Sequence, residues 1–193
     1  MDHQTTNSLN KTVFITGTPG VGKSTLANLI EKKLSWNLIK INQLAKERNL
    51  FSGIDKEKGY KIIDLDILCP ELKKTISEIS TDNASGIVVD GHLSHFCQCA
   101  DIVIVLRLYP SILKERLKKR NYSDSKILEN LEAEALGVCS MEAQEIHGNI
   151  VHEIDVGKLS PEDILNTVIE IITGEKSLPL GEIDFLNWIM DNE

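Results

Sequence analysis

One stretch limits what this chain can be: Gly17-Thr-Pro-Gly-Val-Gly-Lys-Ser24, set between the β-branched and aromatic run Thr12-Val-Phe-Ile-Thr16 and the segment Thr25-Leu-Ala-Asn-Leu-Ile-Glu-Lys-Lys-Leu34. The first flank reads as a buried strand. In the second, Leu26, Leu29, Ile30 and Leu34 recur at helical spacing. The octapeptide fits G-x-x-x-x-G-K-[ST] in the strand, loop, helix setting that gives the motif its meaning. Gly20 and Gly22 let the backbone curl so that successive N–H groups and the helix N-terminus face a polyphosphate. Lys23 then neutralises β and γ oxygens, and the Ser24 hydroxyl can ligate Mg²⁺. A chain with this segment is expected to bind a nucleoside triphosphate.

The remaining segments continue the alternation. A weak strand is expected around Leu38–Ile41, helices at Gln43–Asn49 and Asp64–Ser80, and a strand at Gly86–Asp90. Ile102-Val-Ile-Val-Leu106 is an unbroken apolar run, as expected of a strand covered on both faces in the centre of a parallel sheet. Helical patterns follow at Ser111–Arg120 and Ser125–Gln144, then a strand at Ile150–Ile154 and a helix over Pro161–Ile172 with Ser160 as N-cap. Repeated crossovers of this kind give a doubly wound parallel α/β sheet. Neither an internal repeat nor a Pro/Gly/Ser linker divides the chain, so residues 1–193 are expected to be one domain, with excursions at 37–80 and 107–144. A last amphipathic stretch, Ile183–Met190, is expected to pack through Ile183, Leu186 and Trp188.

With 193 residues and 41% hydrophobic content, the chain can bury an ordinary core without staples. Collagen, coiled coil and wholesale disorder do not fit. Residues 1–11 are polar and no apolar run reaches the length that spans a bilayer, so an intracellular protein is expected. In that compartment Cys69, Cys97, Cys99 and Cys139 are expected to be reduced thiols. The net charge of −8 is unevenly spread. Residues 1–106 carry 12 basic and 12 acidic side chains, Arg107–Lys126 carries seven basic against two acidic, and Ile127–Glu193 carries 15 carboxylates against Lys158 and Lys176. The middle segment suits phosphate; the last repels nucleic acid and attracts a basic partner.

A phosphate loop needs an acidic partner at the end of another strand to hold the metal and its water. Asp90 closes Ile87-Val-Val-Asp90, and His92 follows after Gly91, where it would face the crevice at the C-terminal ends of the strands. A capping or buried His92 is the plainer alternative. His92, His95, Cys97 and Cys99 could in principle ligate zinc, but H-x-x-H-x-C-x-C crowds four ligands onto one loop, and the spacing argues against it. His147 and His152 read as structural or solvent-exposed. Phosphoryl transfer also needs cations beyond the loop and exclusion of water. Arg107 at a strand end, with Arg116, Lys119 and Arg120 at helical spacing, are the candidates to face one pocket, Arg120 first because its fork grips two oxygens.

Together these residues resemble the archaeal and eukaryotic family of the small nuclear adenylate kinase, also called the coilin-interacting nuclear ATPase, whose yeast member assists ribosome assembly. The resemblance runs from Thr12 to about Ile172. It rests on the phosphate loop, on Ile-Val-Val-Asp90-Gly-His92 as the D-x-H form of the acidic motif, and on Val105-Leu-Arg107. Glu115-Arg-Leu-Lys-Lys-Arg120-Asn-Tyr122 with Lys126 and Asn130, and Ile150-Val-His152-Glu, complete it. It implies a P-loop kinase fold with a nucleoside-monophosphate arm at about 40–63 and a short lid at about 119–129. It further implies ATP contacts at Gly20, Val21, Gly22, Lys23, Ser24, Thr25, Arg120 and Lys158, a metal held by Ser24 and Asp90, and catalytic roles for Lys23, Asp90, His92 and Arg120. Where the family has Arg-Gly-Tyr this chain has Arg120-Asn121-Tyr122, and Asn accepts positive φ better than most residues. The match through Phe51-Ser-Gly-Ile-Asp55 and Asp64-Leu-Asp66 is one of spacing more than identity.

The resemblance implies an adenylate kinase, Mg-ATP plus AMP giving two ADP, with ATPase activity and a role in small-subunit maturation. It also allows an ATP-dependent assembly factor that grips a basic small-subunit ribosomal protein, and meets the pre-ribosome through it, with little kinase activity. The phosphate loop alone would equally allow another small-metabolite kinase. The expected location is cytoplasmic in an archaeon, and nuclear and cytoplasmic in a eukaryote.

Overall fold

The computed structural model describes residues 10–54, 61–82 and 85–191. A five-stranded sheet in the order β2-β5-β1-β6-β7 forms its centre. The strands are β1 Thr12–Thr16, β2 Asn37–Lys40, β5 Ile87–Asp90, β6 Ile102–Arg107 and β7 Val151–Asp155, and every pairing is parallel. Between them run α1 Lys23–Leu34, α2 Ile41–Glu47, α3 Leu65–Asp82, α4 Pro110–Lys118, α5 Asp124–Ala135, α6 Val138–His147 and α7 Pro161–Thr173. This is the doubly wound α/β class that the alternation predicts. β1 stands in the middle, with β5 on one side and β6 on the other, so the chain end of β1 opens at the point where the strand order reverses, the usual ligand crevice of such sheets.

The core follows from the sequence. All six residues of β6 are buried, as are the four of β5. One apolar cluster gathers Ile15, Leu26, Ile30, Ile104, Leu113 and Val168 on the α1 and α7 side. The other gathers Phe14, Ile41, Leu68, Leu72 and Val103 on the α3 and α6 side. Each strand therefore contributes alternate residues to opposite layers. Ser160 caps α7 as its position suggests, in a reciprocal capping box with Asp163.

Several expectations need correction. The helical pattern over 125–144 is two helices, because Gly137 adopts φ 66° between α5 and α6 and breaks the axis; its neighbours alone carry the pattern straight through. The 40–63 excursion holds α2 and a small antiparallel pair, β3 Phe51–Ile54 with β4 Lys61–Ile63, that the sequence reading does not contain; Asp55 lies outside the described residues. Cys69 and Cys97 form a disulfide rather than two thiols, since the N-terminal part of α3 lies against the loop after β5 with 4.9 Å between the Cα atoms. Cys99 and Cys139 are free.

The tail packs partly through different residues. Trp188 in α8 Leu186–Met190 is buried and Ile183 half-buried, but Leu186 is exposed and Phe185 takes its place. Phe185 stands edge-on to Tyr109 at 5.5 Å and lies 5.2 Å from the Arg107 guanidinium. Upstream, Glu153 donates its N–H to the Leu178 carbonyl at 2.9 Å, so the tail covers part of the β7 edge.

Candidate active site

The loop after β1 is shaped by its glycines. Gly17, Gly20 and Gly22 stand at φ 127°, 102° and 126°. At Gly17 a Cβ would also lie 2.5 Å from the Leu106 carbonyl oxygen, so only glycine lets the loop leave β1 this close to β6. Gly22 forms the N-cap of α1 without a side-chain cap, which leaves the first turn directed at the crevice. Lys23 folds back over the loop, donating to the carbonyls of Gly17 at 2.7 Å and Thr18 at 3.0 Å. Burial lowers its ammonium to about 8, with Arg120 adding to the shift while Asp90 and Glu134 oppose it.

Ser24, the first residue after Lys23 on α1, donates its hydroxyl to Asp90 Oδ2 at 2.6 Å. Asp90 is buried at the end of β5, paired in register with Ile15 of β1. A hydroxyl and a carboxylate meeting beside the phosphate loop are hard oxygen donors of the kind Mg²⁺ prefers, so these residues fit the metal the motif implies. His92 is half-buried just beyond. Burial, with the charges of Lys23, His95 and Lys126, lowers its imidazole to about 4, so at neutral pH it is an uncharged hydrogen-bonding group.

The cations divide in a way the sequence does not suggest. Arg107 does not face phosphate. It is 3% exposed, donating from Nε to Glu134 Oε1 at 2.9 Å, from Nη1 to Glu153 Oε1 at 2.7 Å and from Nη2 to the Glu134 carbonyl at 2.8 Å. Burial alone would lower its pKa, but the two carboxylates override that and raise it. Arg116 is half-buried and clamps the phosphate loop from behind, donating to the carbonyls of Val21 at 2.8 Å and Gly20 at 3.4 Å. Lys119 and Arg120 are exposed at the end of α4, and Asn121 does stand in the left-handed region at φ 56°. Arg120 is close enough for its charge to act on Lys23 and Arg116.

Beside the loop, a cavity of about 250 Å³ is lined by Val21, Gly22, Thr25, Leu26, Leu106, Arg116 and the stretch Val156–Ile164 through Val156, Leu159, Pro161 and Ile164. It is mostly apolar, as a base-binding slot is. Lys158 is an exposed residue of the turn that borders it.

Two features escape the sequence reading. Thr18 donates its hydroxyl to Glu134 Oε2, and Glu134 is 1% exposed. A carboxylate on the apolar stripe of α5 that holds Ile127, Leu131 and Ala135 is the signal that could have found it. His95 ties its loop to β1 and to α6: its Nδ1 meets Thr16 Oγ1 at 2.7 Å, its Nε2 meets Glu142 Oε2 at 3.1 Å, and its carbonyl accepts from His147 Nε2 at 2.8 Å. His152 is structural, in line with its reading: its Nδ1 accepts the N–H of Leu178 at 3.2 Å. Among the described residues no buried side-chain nitrogen or oxygen lacks a hydrogen-bond partner, and no helix is long and apolar enough to cross a membrane.

A family model described as an AAA domain matches residues 13–137, from β1 through the break after α5. A protein named "Putative adenylate kinase" in Methanothermobacter thermautotrophicus is 41% identical over 92% of this chain and 99% of its own. One of the same name in Methanocaldococcus jannaschii is 38% identical over 93% and 95%. The chain belongs to this family. Among solved structures, shikimate kinase from Acinetobacter baumannii in complex with shikimate superposes with a TM-score of 0.58 at 13% identity, covering 88% of this chain and 96% of that one. Shikimate kinase from Bacteroides thetaiotaomicron gives 0.53 at 18% identity over 84% and 98%. These two bear on the fold alone, and they set the adenylate kinase family member on a P-loop kinase scaffold.

Proposed function

We propose that this protein is an adenylate kinase, transferring the γ-phosphoryl of ATP to AMP to give two ADP. The observation that carries the reading is the meeting of Ser24 and Asp90 at 2.6 Å beside the Lys23 ammonium, at the C-terminal ends of β1 and β5. The name borne by the archaeal relatives supports it. In this reading the loop from Gly20 to Thr25 cradles the phosphates and the apolar cavity takes the base, with Lys158 at its border. Ser24 and Asp90 would hold Mg²⁺, which would supply neutralisation of phosphate charge. Lys23 turns from the loop carbonyls to the transferring group. Arg120 approaches from the lid at 119–129 and stabilises the charge that develops there, while the 40–63 arm receives AMP. Uncharged His92 orients the nucleophile or the closing lid by hydrogen bonding, not as a cation.

The test is ATP consumption with and without AMP, with ADP formation followed by a coupled assay. Stoichiometric AMP-dependent formation of two ADP is expected; ATP loss indifferent to AMP would refute the acceptor assignment and leave an ATPase.

The finer placement, in the small nuclear adenylate kinase type with a part in small-subunit maturation, draws on the charge distribution. Of the 15 carboxylates from Ile127 onward, Glu134 and Glu153 are internal and paired with Arg107. The surplus that remains suits a lysine- and arginine-rich protein extension better than RNA. A pull-down of small-subunit ribosomal proteins at rising salt checks this. A specific, salt-sensitive complex that weakens when those surface carboxylates are neutralised is expected; RNA binding without such a partner would reverse it.

A further inference from the structure

We infer that Thr18 is a positioning residue for phosphoryl transfer, its hydroxyl pinning the phosphate loop to the far end of the helix that continues the lid. The inference rests on the kinase reading and adds to it a residue that never touches substrate. Thr18 is 2% exposed, so its side chain is turned away from the crevice, and its hydroxyl donates to Glu134 Oε2. The carboxylate that receives it is fixed from the other side. Glu134 Oε1 accepts from Arg107 Nε at 2.9 Å and from the Leu108 N–H at 2.9 Å, while the Glu134 carbonyl accepts from Arg107 Nη2 at 2.8 Å. Arg107 is in turn held by Glu153 at 2.7 Å. A buried network with every member satisfied is rigid, and Thr18 is the point at which this one reaches the phosphate loop.

Two consequences follow from the geometry. The Thr18 carbonyl accepts from Lys23 Nζ at 3.0 Å, so the residue whose side chain is pinned also presents the backbone oxygen that Lys23 must leave when it turns to phosphate. Fixing Thr18 fixes the starting point of that movement. The second consequence concerns the lid. Helix α5 starts at Asp124, four residues after Arg120, and Glu134 lies one residue before its end. Ten residue steps of helix run from Asp124 to Glu134, about 15 Å at 1.5 Å per residue. The Glu134 end of α5 is bound to the loop while its first turn adjoins the lid, so in the kinase reading the approach of Arg120 is referred to Thr18. Loss of the pin would leave the nucleotide bound by the loop amides and misplace the reacting groups by a fraction of an ångström, which lowers kcat more than affinity.

The experiment compares Thr18→Val, which keeps the shape and removes the hydroxyl, with Thr18→Ser, which restores the hydroxyl, in the full chain. Steady-state kcat and KM for ATP are measured at saturating AMP, with nucleotide affinity by titration of ATP and melting temperature recorded beside them. Thr18→Val is expected to lower kcat about tenfold or more with KM and ATP affinity within about threefold, and Thr18→Ser to recover most of kcat. Thr18→Ala, which sets no methyl against the carboxylate, takes the same measurements if Thr18→Val does not fold. A lower melting temperature with wild-type kcat, or a rise in KM with kcat unchanged, would overturn the inference. If the wild-type protein consumes ATP without regard to AMP, the acceptor assignment fails separately, and the same comparison of variants is read on hydrolysis.

Discussion

Replacing Arg107 distinguishes most sharply between what its position in the sequence suggests and what its surroundings show. At the end of a central strand beside a phosphate loop, an arginine reads as a phosphate ligand; in the structure it is the counter-ion of two buried carboxylates. Arg107→Met removes the charge and retains much of the volume. Glu134 and Glu153, 1% and 5% exposed, would then remain in the interior without their cation. Breaking a buried pair by removing one partner costs about 3–5 kcal/mol. For a domain of this size each kcal/mol moves the melting midpoint by roughly 2–4 °C, so a fall of about 6–20 °C is expected.

Thermal and urea denaturation measure that loss, and two further observations identify its source. Neutralising the stranded carboxylates as well, in Arg107→Met/Glu134→Gln/Glu153→Gln, should recover much of the stability, because the uncompensated buried charge that makes a broken pair costly is then gone. ATP should still raise the melting temperature of the folded Arg107→Met protein, since ligand that binds only the native state stabilises it by mass action. The reasoning fails if Arg107→Met melts with the wild type but loses about 100-fold or more in turnover, the signature of a lost transition-state charge contact, or if the triple variant is no more stable than Arg107→Met.

Lys23→Ala and Asp90→Ala should each reduce ATP turnover about 100-fold or more while retaining the fold, measured as kcat beside a circular dichroism melt. His92→Ala should impair transfer more than ATP binding; normal kcat in an unstable variant would assign His92 to the structure alone. kcat/KM for ATP, which reports the free enzyme, should fall as pH rises through about 8, where Lys23 loses the proton that phosphate needs. No inflection is expected between pH 5.5 and 7.5 from His92, which stays neutral down to about pH 4.

What the sequence discloses is local, and what it conceals depends on partners far along the chain. The phosphate loop, the Asp90 strand end, the Asn121 turn and the Ser160 cap each lie within a few residues, and the structure has each in the local setting that its pattern indicates. Arg107 is misread because its partners stand 27 and 46 residues away, on a helix and on another strand. A strand-end arginine has the same local pattern whether it faces solvent, phosphate or carboxylate. The Cys69–Cys97 disulfide spans 28 residues and depends on how α3 docks against the loop after β5. Gly137 is a smaller failure of the same kind, since a single residue in the left-handed region redirects a helix without disturbing the apolar spacing on either side.

These long-range pairings change the charge reasoning at the site itself. Of the arginines that the sequence places around the phosphates, Arg107 is neutralised by Glu134 and Glu153, and Arg116 is committed to the carbonyls of Gly20 and Val21. Arg120 is exposed, and its charge reaches Lys23 from outside the loop. Lys23 is occupied by the Gly17 and Thr18 carbonyls. In the proposed kinase reading, catalytic charge is therefore assembled on binding, by turning Lys23 and bringing Arg120 inward. In that reading such an arrangement would keep the full cationic constellation away from a phosphate until the nucleotide and the lid are both in place, and that order of events would favour transfer to an acceptor over hydrolysis.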